Sequence, residues 1–422
     1  MTPGFEILDW CVVALYFGVM VAAGIFFMPR KTEDAKEYFL AGGQLPAWLA
    51  AVSVLSATMS AATFLGGPDY TYRGDFTYLS SNVGALMAAF FTARVLIPRY
   101  YALGVTTVYE LLERRIGALA MRAAGGMFLI GRVLAGGTRV YLGAIAVSMI
   151  MFGTVGALEI LLASLVLVFL SFVFTFVGGL KSIVWNDLVQ FTIYLAAAIA
   201  SLVFLWLLIP VSASEVVAKL SAAQKLRLFD FSFDLSRSFS VPATLTGVFL
   251  LCIGNTGLDQ DTTQRLLACK DAKTGARGLI MSQLMVVPIV AVFMAIGSLL
   301  YVYYDGQDVA KTFQGQQISV FMHFILTRIP PGLRGLATTG VIAAAIATTN
   351  SAMNAMLSVL VEDFYRPWCV HHHKQRAEKH FVFAGRIGMA LMGFAMFVVA
   401  VLSFYWQRYA NVPILELVLG VM

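Results

Sequence analysis

Apolar residues along the chain run in long blocks separated by short polar connections. The blocks show neither the two-residue alternation of a half-buried strand nor the single apolar stripe of a soluble amphipathic helix. A helix needs about 20 such residues to cross a hydrocarbon core. Taken in order, the blocks predict about ten full spans, near 7–28, 46–66, 79–103, 120–150, 154–178, 183–209, 240–258, 276–304, 333–362 and 380–405. An eleventh begins near 412 and stops at Met422, too short to cross, which reads as a C-terminal part cut off. Two polar connections, 211–239 and 305–332, have room for interfacial helices, and the apolar and basic mixture of 214–228 suits one.

Polar residues inside these blocks are costly in lipid and therefore informative. The stretch PAWLAAVSVLSATMSAATFLGGP, 46–68, carries Ser53, Ser56, Thr58, Ser60 and Thr63 among small residues. Two readings fit: close helix packing through small side chains, or a helix that unwinds so that its freed carbonyls face a cavity. The ninth block, GVIAAAIATTNSAMNAMLSVLVEDF, repeats this chemistry with Thr348, Thr349, Asn350, Ser351 and Asn354. Two such helices facing one another can enclose a sodium ion. In the sixth block, GGLKSIVWNDLVQ, Asp187 sits about one turn inside the membrane edge, as an ion ligand, a helix cap or a partner of Lys181. Gly254, Gly257 and the polar run 259–264 of the seventh block either break a helix and line a path or simply end it. Arg132 and Arg139, seven residues apart mid-block, share one face. They would bind a carboxylate or phosphate, pair with Asp187, Asp259 or Glu159, or snorkel.

Composition fixes the class. Of the residues, 59% are hydrophobic and 12% charged, against about 25% charged in soluble domains. This is a polytopic membrane protein. The net charge of +6 lies in connections between spans, which argues against a nucleic-acid partner. The Lys and Arg bias of alternate connections places the N-terminus outside the cell (inner) membrane. Cys11, Cys252, Cys269 and Cys369 show no pairing pattern, and 371–373, three histidines beside Lys374 and Arg376, read as a solvated basic loop. No phosphate-binding loop and no nucleophile–base set occurs, so the chain is not expected to be an enzyme. The partners expected are a small-molecule solute and membrane lipid, with no obligate protein partner.

Five separated stretches, in order, resemble the sodium:solute symporters: EYFLAGGQLPAWLAAVSVLSATMSAATFLGGP, TTVYELLERRIG, GGLKSIVWNDLVQ, LDQDTTQRLLACKDAKTGARG and PPGLRGLATTGVIAAAIATTNSAMNAMLSVLVEDFY. The resemblance implies an all-α, LeuT-like inverted repeat of five plus five helices in one transporter domain, 1–422. An extra helix, 7–28, would precede repeats at 46–209 and 240–422, the last helix incomplete. It implies Na+-coupled symport by alternating access, Na+ being the coupling ion. The sodium site would use backbone carbonyls of Ser56, Met59 and Ala344 and side-chain oxygens at 347 and 348. Thr348 has one, whereas Ala347 stands where the family commonly has Ser, and a ligand is lost. Asp187, Asn350 and Ser351 resemble a second sodium site, with proton coupling through Asp187 as the fallback. The solute pocket would draw on Thr58, Ser60, Thr63, Ser81, Asn82 and Asn255 through Asp259. Where sialic acid carriers place a carboxylate-binding Arg, this chain has Ala135; Arg132 lies one turn earlier, leaving a weaker pointer to an anionic solute. The alternative function is a symporter-like membrane input domain of a signalling protein.

Overall fold

Packing of long apolar helices around one buried post organises the molecule. The computed structural model describes residues 5–27, 35–234, 237, 239–307, 309, 319–374 and 376–410. The span expected from 412 lies outside them. Among the described residues, nine helices are long and apolar enough to cross a membrane, and a bent pair makes a tenth span. The spans are Ile7–Phe26, the pair Ala47–Thr58 and Ala61–Arg73, then Thr77–Leu103, Ala118–Met149, Ala157–Phe176, Gly179–Leu208, Val241–Leu258, Ala272–Tyr303, Leu333–His371 and Glu378–Gln407. They are called the first to tenth spans below. No strand occurs among the described residues beyond one isolated bridge, Leu45 to Cys269.

The ninth span is the post, with 94% of its most apolar window buried. Its run of Ala and Gly lets neighbours approach its backbone, the mode of association that replaces hydrophobic drive in lipid. Gly335 lies against the backbone of Asp9, Gly340 against Phe64 and Ala197, and Ala345 against Gly143. The first span is pinned to it electrostatically. Asp9 accepts from the Gly332 and Gly335 N–H groups at 2.8 and 2.7 Å and pairs with Arg334 at 2.7 Å. One carboxylate thus satisfies the open N-terminus of the post. Outward faces stay apolar: Leu158, Leu165 and Phe169 of the fifth span are exposed, as lipid contact requires.

Several boundaries differ from the sequence expectation, the ninth span running on from 362 to His371. The second span runs on from 66 to Arg73 through Pro68, since its second half is a separate helix after a break. The interfacial helix is Ala213–Ala222, shorter than 214–228. Gln224 turns left-handed at φ +55°, and the Lys225 N–H returns to the Leu220 carbonyl at 2.9 Å, the Schellman stop signal. Between the fifth and sixth spans the chain turns at Gly179, φ +57°, where a Cβ would strike the Tyr38 carbonyl.

Candidate functional site

The second span comes apart at Met59 and Ser60, both extended, and its halves meet at 69°. Thr58 closes the first helix, its Oγ1 turned back to the Val54 and Leu55 carbonyls at 2.9 and 3.1 Å, and Ser60 opens the second through its backbone alone, its carbonyl taking the Thr63 and Phe64 N–H groups. Among the described residues no backbone N–H returns to the Ser56 or Met59 carbonyl. These are hard oxygens without partners in the middle of a membrane span.

A narrow gap, too tight to admit a water molecule, lies at this break, lined by Ser56, Met59, Gln190, Phe191, Tyr194, Ala343, Ala344 and Ala347. Four of the five residues expected for the sodium site therefore line one gap. The fifth, Thr348, is buried nearby in sequence, its hydroxyl donating to the Ala344 and Ala345 carbonyls at 3.0 and 3.1 Å. Sequence reasoning missed Gln190. It lines the gap, and its buried amide makes no hydrogen bond of good geometry, the buried Tyr16 hydroxyl being its one polar neighbour shown among the described residues. An idle buried amide is costly, so its oxygen is available to a cation. The available signal was its position three residues after Asp187, on the same helical face.

The second expected cluster is not one cluster. Asp187 accepts from Ser53 and pairs with Arg265 at 3.3 Å; Ser351 donates to Asp261 at 2.6 Å; and the Asn350 amide donates to the Ser171 carbonyl at 3.0 Å. Asp187 and Ser351 are joined only through Arg265 and Asp261, and Asn350 turns to a different span. The cause is Arg265, fully buried on the helix Gln260–Leu267, which brings a positive charge to where a second cation was expected. One Asp187 oxygen, Oδ1, has no hydrogen-bond partner among the described residues.

Arg265 also bonds Ser53 at 2.8 Å and Asp261 at 2.9 Å, and Asp261 in turn meets Arg132 at 3.0 Å. Arg132 contacts Asp259 at 2.6 Å. The guanidinium therefore takes one of the pairings open to it, with two carboxylates of the chain rather than with a free anion. This network ties the second, fourth, sixth and ninth spans to the helix Gln260–Leu267. The polar run 259–264 is not an open path: after an extended Asp259 the chain re-enters a helix whose residues are all buried. Gln260 bonds the Val108 N–H and the Thr106 carbonyl, both at 3.0 Å.

The residues expected to hold solute sit on the second, third and seventh spans. Ser81 and Asn82 donate within their own helix, to the Tyr78 and Leu79 carbonyls at 2.6 and 2.9 Å. Thr58 and Asn255 are exposed, Ser60 is buried and Thr63 is half-buried. Asn255 falls in a π-helical segment, Gly254–Leu258, where the backbone ladder is loosened next to Asp259.

Comparison with known proteins decides the family. The profile of the sodium:solute symporter family matches residues 38–418. The chain belongs to that family. It is 28% identical to the sodium/sialic acid symporter NanT of Aliivibrio fischeri over 86% of this chain and 70% of that protein. It is also 28% identical to the sodium-coupled monocarboxylate transporter 2 of Danio rerio, over 85% of this chain and 58% of the longer relative. A solved Na+-coupled sialic acid symporter, substrate-bound and outward-open, superposes with a TM-score of 0.83 at 24% identity, over 94% of this chain and 82% of that one. The fold is thus the LeuT-like symporter fold. This family member is a multi-pass Na+-coupled solute symporter, with Na+ as its coupling ion, and not an enzyme.

Proposed function

We propose that the protein carries a small organic anion inward with Na+ by alternating access, and that the gap at the break of the second span is the cation site. The observation that carries this is the convergence of Ser56, Met59, Ala344 and Ala347, from two distant spans, on one gap beside the idle amide of Gln190. The Ser56, Met59 and Ala344 carbonyls and the Thr348 hydroxyl would ligate the ion. Gln190 Oε1 would supply the oxygen that Ala347 lacks. Asp187, through its unpartnered Oδ1, is the group through which a second cation or a proton would act, with Asn350 and Ser351 supporting the neighbouring helix.

Solute would bind on the other side of the break, at Thr58, Ser60, Thr63, Ser81, Asn82 and Asn255, with Arg132 and Asp259 closing the pocket as an ion pair. A carboxylate-bearing solute is favoured because similar symporters are named for sialic acid and for monocarboxylates. Na+ bound first fixes the broken span against the ninth and preorganises the pocket, so each ligand tightens the other by one factor. The repeats are assigned to 46–209 and 240–422 after the extra helix. The N-terminus is assigned to the outside of the cell (inner) membrane by the basic connections. The sensor reading draws nothing from these relatives, which are transporters.

The test is uptake into proteoliposomes of radiolabelled carboxylates, sugars and amino acids, with and without an inward Na+ gradient. Gradient-dependent accumulation of a carboxylate is expected. Accumulation of neutral solutes alone would overturn the substrate class, and Na+-independent entry would overturn the coupling.

A further inference from the structure

A cavity of about 730 Å³ lies between the ends of the fourth, ninth and tenth spans, on the side of the basic connections. That volume is within the range of small-ligand sites. Its floor is apolar and open toward the lipid: Ile387 is 50% and Leu391 61% exposed. Its rim is cationic, with Arg122 and His371 both in the lining. Arg122 has neither an ion pair nor a hydrogen bond among the described residues. Two of the acids close by are paired with another cation, and the third, Asp363, is bonded through one oxygen while the other faces Gly125 without an ion pair to Arg122. Glu362 and Glu378 each meet Arg366 at 2.7 Å, and Asp363 accepts from Thr107 at 2.6 Å.

Trp368, also in the lining, marks the depth. It stacks on Tyr365 and carries the Lys374 ammonium 4.3 Å over its ring, the arrangement of an aromatic at the headgroup level. A groove with apolar walls below that level and an unpaired guanidinium at it matches one class of molecule. We propose that this groove is a binding site for an anionic phospholipid, an acyl chain lying along Ile387 and Leu391 and the phosphate held by Arg122 with His371. The inference is independent of solute identity and of the cation site.

The test uses the full-length protein in nanodiscs and the fluorescence of Trp368, identified by its loss in Trp368→Phe. Brominated phosphatidylglycerol should quench it at about a fivefold lower mole fraction than brominated phosphatidylcholine, the factor expected of one basic residue near an anionic headgroup. Arg122→Gln should remove the preference and leave quenching by phosphatidylcholine unchanged. Equal quenching by both lipids, a preference that survives Arg122→Gln, or displacement of the brominated lipid by millimolar inorganic phosphate would each overturn the proposal. If Arg122→Gln does not reach the membrane, competition of plain phosphatidylglycerol against brominated phosphatidylcholine on the unaltered protein decides the same point.

Discussion

Gln190→Leu separates the cation-site assignment from any structural role of the same side chain, because the two predict opposite signs. The amide is buried with neither atom in a hydrogen bond of good geometry. An unsatisfied buried polar group of this kind costs about 1–3 kcal/mol. Leucine keeps most of the volume and removes the cost, so the Na+-free protein should become more stable by about that amount. In Na+ the effect reverses. An interaction of an amide oxygen with a full charge contributes about 1.5–3 kcal/mol, which at a factor of ten per 1.4 kcal/mol is a loss of about 10- to 150-fold in Na+ affinity. Binding to the native state alone stabilises by about 2.7 kcal/mol at a hundred times the dissociation constant. The Na+-induced rise in Tm should therefore shrink or vanish in the variant. The assay is thermal unfolding of the purified full-length protein in Na+ and in choline salts across a concentration series. An unchanged Na+ midpoint would sink the ligand role; a less stable variant in choline would show that the contact of the amide with the Tyr16 hydroxyl is itself stabilising.

Thr348→Ala should raise the half-saturating concentrations of Na+ and of solute, each measured as a binding isotherm, with the Na+ effect on solute affinity equal to the solute effect on Na+ affinity; unchanged Na+ dependence rejects Thr348 as a ligand. Arg265→Met strands the Asp187 carboxylate at a fully buried site, while Asp261 keeps Arg132, and should cost about 3–5 kcal/mol. Adding Asp187→Asn should restore a large share of the lost Tm, and a double variant no better than the single would contradict the network. In the connection between the sixth and seventh spans, a hydrogen bond from Arg237 at 2.8 Å, with the Ser232 N–H and Arg227, holds the Asp230 carboxyl well below the usual carboxylate range. Its stabilisation is complete above the ordinary Asp value of about 3.9 and fades as pH falls toward the lowered folded value. Amide exchange at Val241, which bonds the Asp230 carbonyl at 2.6 Å, corrected for intrinsic rates, should be flat above pH 5 and accelerate below 4; acceleration near neutrality would point to another group.

Block length made the spans legible, because a membrane imposes one length on every helix that crosses it. Hydroxyl density was legible too, but not its outcome. The second and ninth spans carry similar chemistry, yet only the second breaks. In the ninth, Thr338, Thr339, Thr348 and Thr349 all return their hydroxyls to carbonyls four residues back, and the helix continues. Which outcome occurs depends on what packs around the helix, and spacing alone does not carry that. Arg132 had three acids within reach on paper. Its pairing with Asp259 was among them, whereas Asp261 entered only because the chain re-forms a helix after Asp259 and turns that second carboxylate to the same point. Asp187 was expected beside Asn350 and Ser351 from motif position; a buried Arg265 from a different segment intervenes. Gln190 was in plain view within WNDLVQ, but a neutral amide attracts notice only once its lack of partners is known.

The break in the second span sets two opposite electrical poles two residues apart. The first helix, Ala47–Thr58, presents its carbonyl end there and the second, Ala61–Arg73, its N–H end, each equivalent to about half a unit charge of opposite sign. A cation at the first pole and an anion at the second would make a locally neutral load. Membrane voltage acts only on net charge moved, about 2.3 kcal/mol per charge per 100 mV. With one Na+ per cycle, a monovalent anion would cross without current, while a neutral solute would carry one positive charge inward each time. The current recorded per solute would thus report the charge of the cargo.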